Sequence, residues 1–183
     1  MTLYNLVRRM FILLSAAWLT SSGAAIANDN EQLDEIYHLL LEPKPSAKAI
    51  SARYGETVIH VGPNGKSLIE GRDDFLTQNI EPFVGALVAG QFDLTGAFLI
   101  TRRVIGEQLV NDVGYLYARI ETPDGRVQEL VRKFSWVFEK TDGEWVVITD
   151  FDATPAQLDV IDTVDTERCV SSIPSLCVSS ITD

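Results

Sequence analysis

The hydrophobic pattern changes character once along the chain, near residue 91. Before that point the apolar spacing is helical. Leu33, Ile36, Tyr37, Leu40 and Leu41 recur at i, i+3, i+4, i+7 and i+8, which draws one apolar stripe along a helix. Pro43 and Pro45 end it, because proline has no N–H for the ladder and disfavours helical geometry in the residue before it. Ser46 can cap a second short helix, with Ala47, Ile50 and Tyr54 on one face and Gly55 as its stop. A β-type run at 57–61, a Gly62-Pro63-Asn64-Gly65 turn and a short return over 67–70 follow. Residues 72–88 then read as a helix striped by Leu76, Ile80, Val84 and Leu87, which Pro82 should kink or split.

From Gln91 onward the pattern is extended. Residues 92–106, 109–121, 126–139 and 144–152 are four β-rich runs. Pro123-Asp124-Gly125 and Thr141-Asp142-Gly143 mark hairpins between the last three. Helices followed by an antiparallel meander predict an α+β fold, with the helices on one face of a curved antiparallel sheet.

The two ends differ from this middle. Residues 1–27 read as a secretory signal peptide: Arg8 and Arg9 supply the positive start, Met10 to Leu19 the apolar core, and Ala25-Ile26-Ala27 the small-residue site for cleavage after Ala27. The domain then spans 28–154, and 155–183 is an acidic tail without clear period. Its Cys169 and Cys177 are the only cysteines, and in an exported chain such a pair reads as a disulfide. The expected location is periplasmic or extracellular.

Composition excludes several function classes. With 15 basic against 26 acidic residues, the formal charge of -11 leaves no basic surface for a nucleic acid. No long apolar run follows residue 27, so no membrane association is expected once the signal is removed. The chain has no Gly-rich phosphate loop, no nucleophile elbow and no zinc-protease helix motif. Two distant histidines and two tail cysteines make no metal set, so neither a metal nor a cofactor is expected.

Residues 52–75 (ARYGETVIHVGPNGKSLIEGRDDF) and 115–155 (YLYARIETPDGRVQELVRKFSWVFEKTDGEWVVITDFDATP) resemble the nuclear transport factor 2-like superfamily, within it the SnoaL-like and steroid-isomerase-like branch. The most specific piece is Phe134-x-Trp136-x-Phe138, followed after the Asp142-Gly143 turn by Trp145. The resemblance implies a cone: a bent sheet wrapped around helices, with a cavity at its open end and a homodimer through the sheet. In steroid-isomerase-like members a carboxylate base stands near the end of the first short strand and a second carboxyl on the aromatic strand. Those positions here hold His60 or Val61, and Phe134. The carboxylate pair of that chemistry is therefore not matched.

Other residues could take its place. His60 is a candidate general base, since burial and neighbours move a histidine across neutral pH. His38, beside the first helix's stripe, reads as a surface or packing residue. Asp150 and Asp152 share one strand face and could act as acid and base, or lie at a solvated strand end. Tyr54 could donate a phenolic hydrogen bond. Phe134, Trp136 and Phe138 alternate onto one face, where they line a pocket or fill a core. Arg102, Arg103, Arg119 and Arg132 read as cross-strand ion pairs among the acids. Two functions follow as expectations. One is a non-catalytic module that holds a small apolar molecule or mediates assembly. The other is an isomerase, dehydratase or hydrolase using His60 with Asp150 or Asp152.

Overall fold

The computed structural model describes residues 26–65 and 67–177. The predicted signal peptide, apart from its last two residues, and residues 178–183 of the tail lie outside them. The chain divides into two compact units, Met1–Asp34 and Glu35–Asp183. Helix α1 runs over residues 26–40, so its last turns belong to the second unit, which also holds the sheet.

Helix α2 (Ala47–Ser51) begins where Ser46 Oγ accepts the N–H of Ala49 at 3.3 Å, satisfying one of the donors a helix start leaves open. Tyr54 was expected on this helix and instead opens strand β1 (Tyr54–Val61). Pairing with a later strand takes it: Arg53 C=O accepts Val147 N–H at 2.8 Å, and Tyr54 sits opposite Val147. Strand β2 (Leu68–Glu70) folds back antiparallel on β1, with His60 opposite Ile69.

The expected helix over 72–88 is three pieces: α3 (Arg72–Phe75), a π-helical turn (Leu76–Ile80) and α4 (Glu81–Val88). Pro82 lies in the first turn of α4 and has no N–H to continue the regular ladder. The chain widens there, and Glu81 N–H reaches back five residues to Leu76 C=O.

The long strands β3 (Asp93–Ile105), β4 (Leu109–Glu121), β5 (Val127–Thr141) and β6 (Glu144–Ala156) form the expected meander. Among the described residues the sheet has seven strands, the last being β7 (Arg168–Ser171), in the order β2-β1-β6-β5-β4-β3-β7. It is mixed rather than purely antiparallel, because β1 lies parallel to β6. The C-terminal segment is also more regular than expected. Strand β7 (Arg168–Ser171) pairs with β3, and Cys169 and Cys177 form a disulfide.

Two glycines bring β3 and β4 close together. A Cβ on Gly96 would lie 2.5 Å from the Tyr117 carbonyl oxygen, and one on Gly114 would overlap the Leu99 carbonyl oxygen. A bulge between Ile100 and Arg102 adds to the bend of this pair, since an extra residue on one strand raises its local twist. Inside the curve lies an aromatic core. Tyr37 of α1 stacks on Trp136 at 5.0 Å between ring centroids and touches Phe98 at 4.6 Å, with Phe134 and Phe138 around them. Each such pair adds about 0.5–1.5 kcal/mol beyond its buried area.

Candidate functional site

Beside this core the second unit forms an open-mouthed cavity of about 450 Å³. Its walls are largely apolar, from Leu40, Phe75, Phe83, Phe98, Leu116 and Leu130. The π-helical turn adds Gln78 and Asn79. Four polar side chains define one end: Tyr54, Arg132, Asp150 and Asp152, next to Trp136.

Strand register explains why these meet. Asp150 and Asp152 are two apart on β6 and so face the same way. Asp150 stands opposite Trp136 on β5 and, across the parallel pair, opposite His60 on β1. Tyr54, at the start of β1, donates its hydroxyl to Asp150 Oδ2 at 3.3 Å. His60 Nδ1 lies 3.4 Å from the same oxygen, too poorly aligned for a hydrogen bond but close enough for a charge contact. Arg132 of β5 reaches Asp152 Oδ2 at 3.4 Å.

Burial sets the electrostatics of the group. Asp150 is only 5% exposed. Burial of Asp152 raises its pKa and the charge of Asp150 raises it further, while Arg132 and His60 offset only part of this. For His60, burial opposes the charged ring, but the adjacent Asp150, helped by Asp152, outweighs it and holds the pKa above the ordinary value. Tyr54 is pushed well up by burial and then by Asp150, so it stays a neutral donor. Direct contacts fix Asp150 in place, and the raised pKa of its neighbour Asp152 suits that group to exchange a proton.

The sequence candidates are thus partly assembled. Asp150, Asp152, Tyr54 and Trp136 line the cavity. His60 is not among the lining residues and stands behind Asp150 instead. Phe134 and Phe138 are also absent from the lining and pack in the core, 2% and 0% exposed. His38 is exposed, as its place beside the stripe predicted. Arg132, a candidate for a cross-strand ion pair or a clamp on an anionic ligand, pairs with Asp152 and belongs to the wall. A second buried polar group lies in the core. Asp112 of β4 is fully buried and accepts Tyr37 Oη at 2.8 Å, Arg103 Nη2 at 2.7 Å and Arg103 Nε at 2.9 Å. An acid at an inward position of the β4 alternation was the available signal, because a charge is buried only with partners.

No family model and no curated protein matches the chain. Solved structures do. A nuclear transport factor 2-like protein with a cystatin-like fold from Novosphingobium aromaticivorans superposes with a TM-score of 0.56, covering 84% of this chain and 90% of its own at 18% identity. The fold is nuclear transport factor 2-like. A candidate dehydratase of the nuclear transport factor 2-like family from Streptomyces avermitilis gives a TM-score of 0.56 at 14% identity, over 71% of this chain and 97% of its own. A ketosteroid isomerase-like protein from Erwinia carotovora atroseptica gives 0.56 at 13% identity, over 72% and 95%. At such identities the likeness carries the nuclear transport factor 2-like fold alone, and function must come from the site.

Proposed function

We propose that this domain binds a small, largely apolar molecule in the 450 Å³ cavity. The observation that carries the reading is the cavity's construction: a largely apolar, open-mouthed hollow of ligand size with convergent polar groups at one end. Extraction of the purified protein followed by mass spectrometry tests it. A co-purifying molecule, or displacement of one by added apolar compounds, is the expected result. A cavity that neither retains nor takes up any such compound overturns it.

A second reading is favoured by one specific observation, the raised pKa of Asp152 beside Asp150. Two neighbouring carboxyls whose environments differ are a usual arrangement for acid–base work. In this reading Asp152 exchanges a proton with the bound molecule, as in an isomerase or dehydratase. Asp150 is then its fixed neighbour, and Tyr54 and His60 are positioning residues. The two neighbours named above as a candidate dehydratase and as ketosteroid isomerase-like lend support by analogy. Turnover of a carbonyl or epoxide substrate that disappears in Asp152→Asn while binding persists is the test.

The wider setting is proposed on similar grounds. The Cys169–Cys177 disulfide supports export to an oxidising compartment. Among the described residues no helix is long and apolar enough to cross a membrane. Ile59, Val113 and Phe151, 38–42% exposed, support a homodimer through the outer sheet face. Sedimentation of the protein and of Phe151→Lys tests that association.

A further inference from the structure

The charges in the cavity wall do not balance. Two carboxylates, Asp150 and Asp152, line it against one cation, Arg132. His60 supplies positive charge only when protonated, and it stands behind Asp150, outside the wall. The Arg132–Asp152 contact is single and long at 3.4 Å, unlike the close two-pronged grip that Arg103 has on Asp112. The Arg132 side chain is one-third exposed, so solvent shares it with Asp152. The carboxylates also have aromatic neighbours. The Tyr54 ring lies 4.8 Å from that of Phe75 and 6.4 Å from that of Trp136, and all three line the cavity. Carboxylates beside aromatic rings supply both kinds of partner that an organic ammonium uses, opposite charge and π-systems. The chain's net charge of -11 favours the approach of cations.

We propose that the ligand of this cavity is an apolar amine, its ammonium group seated between Asp150 and Asp152 and its hydrocarbon body along Phe75, Phe83 and Leu116. The inference rests on the cavity being a binding site and narrows it to one chemical class. Charge direction supports it. Burial and then the neighbouring Asp150 keep the Asp152 pKa raised despite Arg132 and His60, so a further cation between the two carboxyls would be stabilising. The titratable and charged groups that face the seat are Tyr54 from β1, Arg132 from β5 and the two aspartates from β6, with His60 of β1 in contact with Asp150 from behind. Rising pH ionises Asp152 and neutralises His60, so amine binding strengthens as pH rises, up to the pKa of the amine itself.

Three probes of similar size separate the possibilities: 2-phenylethylamine, 2-phenylethanol and 3-phenylpropionate, titrated into the full chain at pH 7.5 by calorimetry or ligand-observed NMR. The amine is expected to bind at least about tenfold more tightly than the alcohol, and the carboxylate weakest. Asp152→Asn should reduce amine binding to the level of the alcohol and leave the alcohol unchanged, which also reports that the variant is folded. Arg132→Gln should tighten the amine several-fold by removing its competitor, an effect that loss of structure does not produce. Equal binding of amine and alcohol, tightest binding of the carboxylate, or an amine preference that survives Asp152→Asn each overturns the proposal while the cavity reading stands. Binding of none of the three overturns both.

Discussion

Tyr54 and Asp150 meet at 3.3 Å although 96 positions separate them. One opens β1 and the other lies on β6, and the bond spans the parallel seam of the sheet. A buried carboxylate needs donors, so this bond is structural as well as local to the site. Tyr54→Phe keeps the ring packing against Phe75 and removes only the donor. The expected loss in urea unfolding is about 1–3 kcal/mol, the cost of leaving a buried acceptor short of a partner. The same substitution in an Asp150→Asn background should cost clearly less, and equal costs would show that the two residues do not interact.

Acidity gives a second prediction. Asp152 and His60 both have pKa values raised in the folded chain, above ordinary values of 3.8 and 6.5. A group that binds its proton more tightly when folded contributes stability below its unfolded pKa. That contribution fades as pH rises through the higher folded value. The unfolding free energy of the wild type minus that of Asp152→Asn should therefore fall as pH climbs from about 4, and the corresponding difference for His60→Gln should fall above about 6.5. A rise across either window would contradict the electrostatics described above.

The Arg103–Asp112 pair should be the most sensitive polar point in the fold. Its side chains are 3% and 0% exposed, so removing the acid leaves the guanidinium without the carboxylate that grips it. Asp112→Ala is expected to cost about 3–5 kcal/mol or to prevent folding. Val104→Ala, at a position 54% exposed, should change stability by less than about 0.5 kcal/mol. Comparable losses for the two would deny the pair its role.

The disulfide should act locally. It closes a loop with a sequence separation of 8, for which the chain-entropy model gives about 2–3 kcal/mol. Strand β7 is held to β3 from Ala97 to Ile100. Its neighbour Ser172 accepts the Gly96 N–H at 2.8 Å. Reduction should speed amide exchange at residues 168–171 while residues 131–138 of β5 stay protected. Uniform loss of protection would point to a global role instead.

Much of this architecture is legible without coordinates because it is encoded locally. The Asp142-Gly143 turn is an example: both residues adopt positive φ, at 53° and 87°, which their types tolerate and a hairpin of this kind requires. The strands on either side follow from alternation. The site is harder to read. Asp150 shows no local sign of burial, since its partners Tyr54 and His60 come from another strand. The parallel placement of β1 beside β6 depends on shape across the whole sheet, and no pattern within TVIHV encodes it. Strand β7 is four residues long, too short for a period to show. The π-helical turn was signalled only as a break at Pro82, although its widened backbone is what sets Gln78 and Asn79 at the cavity.

The β1–β6 seam also constrains how the molecule comes into being. A chain made from the N-terminus holds Tyr54 and His60 early, but β6, their parallel partner strand, follows only after four others. The acidic end of the hollow is thus among the last features that synthesis permits, and its closure joins segments far apart in the chain, a slow kind of folding step. Until then β1 has β2 on one side and an unfilled edge on the other.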